Sequence, residues 1–271
     1  MAFGPSIWRE PWTLGSPAFR IAPGLFYVGN DNVSCHLLHT AEALVLIDTA
    51  FAQTAYLLTE SMRELGFRPA DLDLILHTHG HVDHAGATRR MQELSGAETA
   101  MGAADVETVE QGTPMTCAEY FYGMDGFETF TVGRVLGHGD VIDCGDTEIV
   151  CHHTPGHTPG VITFTFGIEV DGRAVTAGLF GGPGVWTLRK EHCEHQGYPG
   201  NREDMARSLE YVGGLDVELW LGAHPSQNDT FGKRDRLRAG ESPNPFLDPQ
   251  GWRDSIERVQ RSLQTIMDEE P

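Results

Sequence analysis

His79-Gly80-His81-Val82-Asp83-His84 packs three imidazoles and a carboxylate into six residues. His79 and His81 alternate, so on an extended turn both rings face one metal ion. Asp83 and His84 then reach a second ion a few ångströms away. Neutral imidazole and carboxylate suit zinc and other borderline metals. A coordination position left open makes bound water a nucleophile near neutral pH. Against a merely histidine-rich surface loop stand two further histidines in loop contexts downstream. They lie in Thr154-Pro155-Gly156-His157-Thr158-Pro159-Gly160 and in Gly222-Ala223-His224-Pro225.

Such loops need a rigid platform. Leu72 to Leu76 predicts a buried strand feeding the histidine motif, and Ala85-Gly86-Ala87 opens a helix through Met91 and Leu94. Strand, ligand loop and helix in that order place the site at the carboxyl edge of a sheet. Residues 19–50 predict strands around the turn Ala41-Glu42. Gln53 to Leu65 predicts a helix ended by Gly66, with Pro69 beyond. Residues 161–177 predict a hairpin turning at Asp171-Gly172, and Leu219-Trp220-Leu221 a strand just before His224. Glu203 to Tyr211 and Asp254 to Met267 predict helices, the second with Ile256, Val259, Leu263 and Ile266 on one stripe. The order strands, ligand loop, helix occurs twice. It predicts an αββα sandwich, two mixed sheets packed face to face with helices outside. Residues 102–137 are less regular, and Tyr120, Phe121, Tyr122, Met124 and Phe127 form either a lid over the site or a helix covering the core.

On these motifs the chain resembles the metallo-β-lactamase superfamily, and most of all its B3 subclass, from about Phe19 to the C-terminal helix. Gly24 to Gly29 is similar to that subclass's opening strand, Leu44 to Thr49 to its next strand and turn, and Asn244 to Pro249 to the segment before its last helix. The resemblance implies two zinc ions per chain, one held by His79, His81 and His157, the other by Asp83, His84 and His224. It implies cleavage of a cyclic amide or ester by metal-bound hydroxide, with Asp83 also orienting the nucleophile or shuttling its proton. Many relatives bridge the metals with an aspartate between the last two histidines, but Val175 to Gly184 holds no carboxylate. B3 enzymes lack the bridge too, and carry serines there that contact the substrate carboxylate. Aligned on Pro183-Gly184, those positions become Leu179 and Gly181. The substrate pocket is therefore altered, and a neutral lactone or ester is the alternative substrate. His192, in the segment Glu191 to His195 just beyond, is expected in a polar loop at the pocket mouth as a third substrate contact. A Gly-x-Ser-x-Gly elbow is absent, so serine-hydrolase chemistry has no support.

The chain has 271 residues, 19 basic and 39 acidic, for a net charge of −20. That argues against nucleic acid and anionic membranes as partners and leaves a small molecule. Residues 1–18 are expected as an extension to one domain over 19–271. No basic start precedes an apolar run, so no signal peptide is visible and the expected location is cytoplasmic. The five cysteines include no Cys-x-x-Cys pair, and reduced thiols are the default. Cys144 and Cys151 are the one pair that a strand turn would bring together. His36, His39 and His138 are expected to be structural. His77, and His152 or His153, are expected to support the site or its packing. Nothing in the sequence sets the oligomeric state.

Overall fold

Residues 6–271 are described by a computed structural model. A seven-stranded sheet runs in the order β1 (Phe19–Ala22), β2 (Leu25–Tyr27), β3 (His36–His39), β4 (Leu44–Ile47), β5 (Leu74–Leu76), β6 (Glu98–Gly102) and β7 (Arg134–Leu136). Its first four strands pair antiparallel and the rest parallel. A five-stranded sheet holds β8 (Val141–Asp143), β9 (Glu148–His153), β10 (Ile162–Val170), β11 (Arg173–Leu179) and β12 (Leu219–Leu221), antiparallel except for β11 with β12. The expected αββα sandwich is the observed fold.

Side-chain alternation explains the layers. Val45 and Ile47 of β4, Leu74 and Leu76 of β5, and Leu219 and Leu221 of β12 all face the core between the sheets, where Phe164 and Phe166 of β10 meet them. The intervening Leu46 and Ile75 point outward beneath α2 (Ala55–Glu64), where they meet its Leu58 and Met62. Trp220 likewise points outward, beneath α7 (Asn201–Gly213) and α9 (Pro249–Glu269). Buried on both faces, β4, β5 and β12 read as continuous apolar runs. Helix α9 lays Trp252, Ile256, Val259, Leu263 and Ile266 on this sheet, a 4-3-4-3 stripe. Its first turn is fixed by Pro249 and by the Asp248 carboxylate, which accepts Gly251 N–H at 2.8 Å.

Two details differ from the sequence expectations. The helix after the histidine motif is split into α3 (Val82–Ala85) and α4 (Thr88–Ser95). The His84 carbonyl accepts Thr49 N–H and its hydroxyl instead of continuing the helical ladder. Glu191 to His195, expected in a loop, lie in helix α6 (Lys190–Gln196), ended by Gly197 at φ 69°. The segment before β1 packs onto the rest: Ile7, on α1 (Ser6–Arg9), is buried beside Phe51. Among the described residues the remaining α-helices are α5 (Val106–Gln111) and α8 (Thr230–Arg238). All five cysteines are free, Cys144 and Cys151 among them, and both of these are buried in the core. Among the described residues no helix is long and apolar enough to cross a membrane.

Candidate metal centre

Strand direction assembles the site. β4, β5, β11 and β12 end toward the same rim of the sandwich, and so does β9, two antiparallel steps from β11. Asp48 follows β4, the histidine motif follows β5, His157 follows β9, the stretch 181–186 follows β11 and His224 follows β12. A cavity of about 410 Å³ opens there, and His79, His81, Asp83, His84, His157 and His224 all line it. The ligating atoms of His79, His81 and His157 lie within 4.8 Å of one another, as do those of His79, Asp83 and His84. His224 joins the second group through His84, Nε2 to Nε2 at 3.2 Å, and through Asp83 Oδ2 at 3.6 Å.

Outer hydrogen bonds orient four of the five rings. Nδ1 of His84 donates to Asp48 Oδ2 at 2.8 Å, that of His157 to the Gly184 carbonyl at 2.7 Å, and that of His224 to the Asn32 carbonyl at 2.8 Å. Thr78 gives its hydroxyl proton to Asp48, so its oxygen accepts His79 Nδ1–H at 3.0 Å. With each Nδ1 carrying the proton, each Nε2 presents a bare lone pair to the cavity. His81 is turned the other way: its Nδ1 faces His79 Nε2 at 3.1 Å, and its Nε2 faces the side chain of Gln196.

This donor set fits a metal. His84 and His224 point lone pairs at each other across 3.2 Å, an arrangement that needs a cation between them, whether a proton or a metal ion. Burial holds His79 and His81 well below the ordinary imidazole value and brings His157 down to about 4. These rings are therefore neutral and free to ligate. His84 is opposed by burial too, but Asp83 and Asp48 outweigh it and raise its pKa. Burial opposes charge on Asp83, yet His84, His224 and His81 together bring its pKa down and keep it ionised. The Tyr122 hydroxyl bonds to this carboxylate, and burial followed by Asp83 lifts its own pKa well above 10.

Two carboxylates that sequence reading missed hold the loops in place. Asp48 sits at φ 61°, in the left-handed region that short polar residues tolerate. From there it accepts Thr78 N–H, Thr78 O–H and His84 N–H. Asp105, fully buried, accepts Gly80 N–H at 2.8 Å, Thr158 O–H at 2.6 Å and Gly160 N–H at 2.8 Å. It thereby ties the His79–His81 loop to the His157 loop. Gly160 allows the approach: a Cβ there would lie 2.5 Å from Asp105. The available signal was an aspartate ending one strand and another opening a helix, and neither carries a motif.

The opposite wall is aromatic and glycine-rich. Trp186 stacks on Phe121 at 3.9 Å, and Tyr122 lines the cavity. The aromatic segment is thus a packed wall, with Tyr122 and Met124 buried, not a helix. Gly181 does line the cavity; a Cβ on it would strike the Ile162 carbonyl at 2.2 Å. A Cβ at Gly182 or Gly184 would lie 2.8 or 2.9 Å from His157, so bare backbone is what lets this strip rest on that ring. Leu179 is placed elsewhere than expected. It pairs with Phe164 and Leu221 on β11 and is buried in the core, and strand alternation turns it away from the cavity. His192 lies on α6, one ring back from the cavity, edge-on to Trp186 at 5.2 Å.

The other histidines serve packing. His77 bonds the Ala100 carbonyl and Thr88, and His152 bonds Tyr211 and Thr165. His153 bonds the Pro159 carbonyl at 2.8 Å, within the His157 loop.

A family model for the metallo-beta-lactamase superfamily matches residues 28–224. An uncharacterised protein of Aquifex aeolicus is 29% identical over 167 residues, 59% of this chain and 72% of that one. A hydroxyacylglutathione hydrolase of Anaeromyxobacter dehalogenans is 27% identical over 191 residues, 70% of this chain and 60% of its own length. Among solved structures, the native FEZ-1 metallo-beta-lactamase from Legionella gormanii superposes with a TM-score of 0.85 at 29% identity, covering 94% of this chain and 97% of that one. BJP-1, a subclass B3 metallo-beta-lactamase of Bradyrhizobium japonicum, superposes at 0.87 with 26% identity, covering 96% and 97%.

Proposed function

This chain belongs to the metallo-β-lactamase superfamily and is a hydrolase of it, and from that premise we propose that it is a dinuclear zinc enzyme cleaving a neutral lactone or ester. The observation that carries the metal reading is the pair of bare nitrogens on His84 and His224, set beside the His79, His81 and His157 cluster. His79, His81 and His157 would hold one ion, and Asp83, His84 and His224 the other. Zinc in these positions supplies Lewis acidity toward a carbonyl oxygen and lowers the pKa of water.

The chain's own residues do the rest. Asp48, Gly184 and Asn32 fix three rings by their outer nitrogens, which sets each tautomer and direction before any ligand arrives. Asp83, ionised and steadied by Tyr122, holds a carboxylate oxygen inside the cavity where a proton can be accepted and passed on. Trp186 and Tyr122 cover one side and limit water there.

Charge selects the substrate. Among the described residues, no lysine or arginine lines this cavity, whereas Asp31 does. Arg189 is engaged by Glu269 at 3.2 Å and Glu270 at 3.3 Å. The glycine strip offers no hydroxyl to a substrate carboxylate. A charge-assisted hydrogen bond contributes about 1.5–3 kcal/mol, so a carboxylate-bearing β-lactam gains none from this strip or from a cation and is left with the neutral donors Ser226 and Gln227. The test is kcat/KM for a penicillin, a carbapenem, neutral lactones and thioesters on one zinc-loaded preparation. Lactones or neutral esters should lead. A penicillin cleaved near the diffusional range with every lactone inert would overturn the reading.

A further inference from the structure

A second cavity of about 410 Å³ adjoins the first and shares four lining residues with it: Pro183, Gly184, Ser226 and Gln227. The shared ridge comes from the loops that follow β11 and β12. Beyond it Phe180, Val185, Trp220, Leu221 and Val259 make an apolar wall, and the exposed Arg258 of α9 stands at the solvent side. Phe180 and Trp220 are nearly fully buried, while Val185 and Val259 are partly open. Ser255 and Ser262 of α9 edge the far side. At the ridge, Gln227 is pinned by its own oxygen, which accepts Ala223 N–H at 2.8 Å and His224 N–H at 3.2 Å. Its Nε2 makes no hydrogen bond among the described residues, so it remains as a donor beside the passage.

We propose that this second cavity is a substrate subsite that takes an apolar acyl arm, while the scissile carbonyl sits over the histidine cluster. The four shared lining residues put the second cavity directly beside the first, so an arm of the molecule cleaved in the first reaches the second. Gln227 Nε2 donates to a carbonyl or ether oxygen where the arm crosses the ridge. The substrate class is then an ester or lactone bearing a saturated chain of several carbons. This rests on the hydrolase reading above and deepens it. Each buried methylene strengthens binding by transfer from water, so kcat/KM should climb with chain length until the cavity is full.

The test uses zinc-loaded protein and p-nitrophenyl esters from acetate to octanoate. In the wild type, kcat/KM should rise by about tenfold or more across the series. Val259→Trp fills the subsite from α9. It should flatten the rise while leaving acetate turnover unchanged, because Val259 touches none of the metal-facing residues. Ser262→Trp, at the exposed edge, serves if Val259→Trp fails to fold. A flat wild-type series, or the same slope in wild type and variant, would overturn the subsite. If no ester is cleaved, the esterase reading fails, and calorimetry with 1-octanol on metal-depleted protein decides the subsite alone. Octanol binding weakened by Val259→Trp supports it, and equal binding, or none, rejects it.

Discussion

The floor and the wall of the cavity are built on different terms. On the floor, four of the five metal-facing imidazoles have an outer partner, and Asp48 and Asp105 between them accept six hydrogen bonds from the loops that carry the site. On the wall, Gln196 Oε1 and His192 Nδ1 are buried without a hydrogen-bond partner among the described residues, and contact runs through stacked rings and bare glycines. The floor is determined by chemistry that tolerates little change. The wall is determined by shape, which can differ between enzymes that share a floor. The floor should therefore govern whether there is turnover, and the wall what is turned over.

The sharpest way to break this division is His81→Ala. Removing one imidazole of the His79, His81, His157 cluster should drop hydrolysis to background while circular dichroism stays native, since the core between the sheets does not include His81. Unchanged turnover in a sample of verified metal content would refute a metal-dependent mechanism. Next in size is Asp48→Ala, which frees His84 and Thr78 together. Loss of such an outer partner typically costs about 10–100-fold in metal affinity. Competition with a chromophoric chelator measures it, and an unaltered affinity would show that Asp48 serves the fold alone.

The floor also sets a pH dependence in the metal-depleted protein. Burial lowers His36, His77 and His157 from 6.5 to about 4. Between those values the unfolded chain takes up protons that the folded chain refuses, so stability must rise with pH from about 4 to 6.5. His84, with its raised pKa, acts in the opposite sense: its contribution is present below 6.5 and fades as pH climbs through its folded value. Burial lowers His79, His81 and His224 as well, so the lowered imidazoles outnumber His84 and the raised Asp105 and predict a higher urea midpoint at pH 6.5 than at 4.5; the reverse order would contradict the burial argument. The smallest effect belongs to the wall. Trp186→Ala should raise KM several-fold and alter kcat little, because Trp186 covers the cavity without joining the histidine cluster. A collapse of kcat with KM unchanged would place Trp186 in the chemistry instead.

How much of this was legible in the sequence follows the same division. The floor residues declared themselves by type and spacing, and β5 and β12 by apolar runs leading into the loops. The sandwich followed from the repeated order of elements. Asp48 and Asp105 stayed hidden because their partners come from distant parts of the chain: Thr78 and His84 for the first, Gly80 and Gly160 for the second. Leu179 was misplaced because counting back from Pro183-Gly184 gives a position in sequence, while the register of β11 against Phe164 decides which face it takes. The helix at 190–196 was missed because Glu191-His192-Cys193-Glu194-His195 is polar nearly throughout and shows no apolar stripe.

The central claim is two metals on one floor, and anomalous diffraction at the zinc edge from crystals of zinc-loaded protein tests it most directly. The account predicts two peaks, one against His79, His81 and His157 and the other against Asp83, His84 and His224. A single fully occupied peak, or two peaks with a different set of ligands, would contradict it.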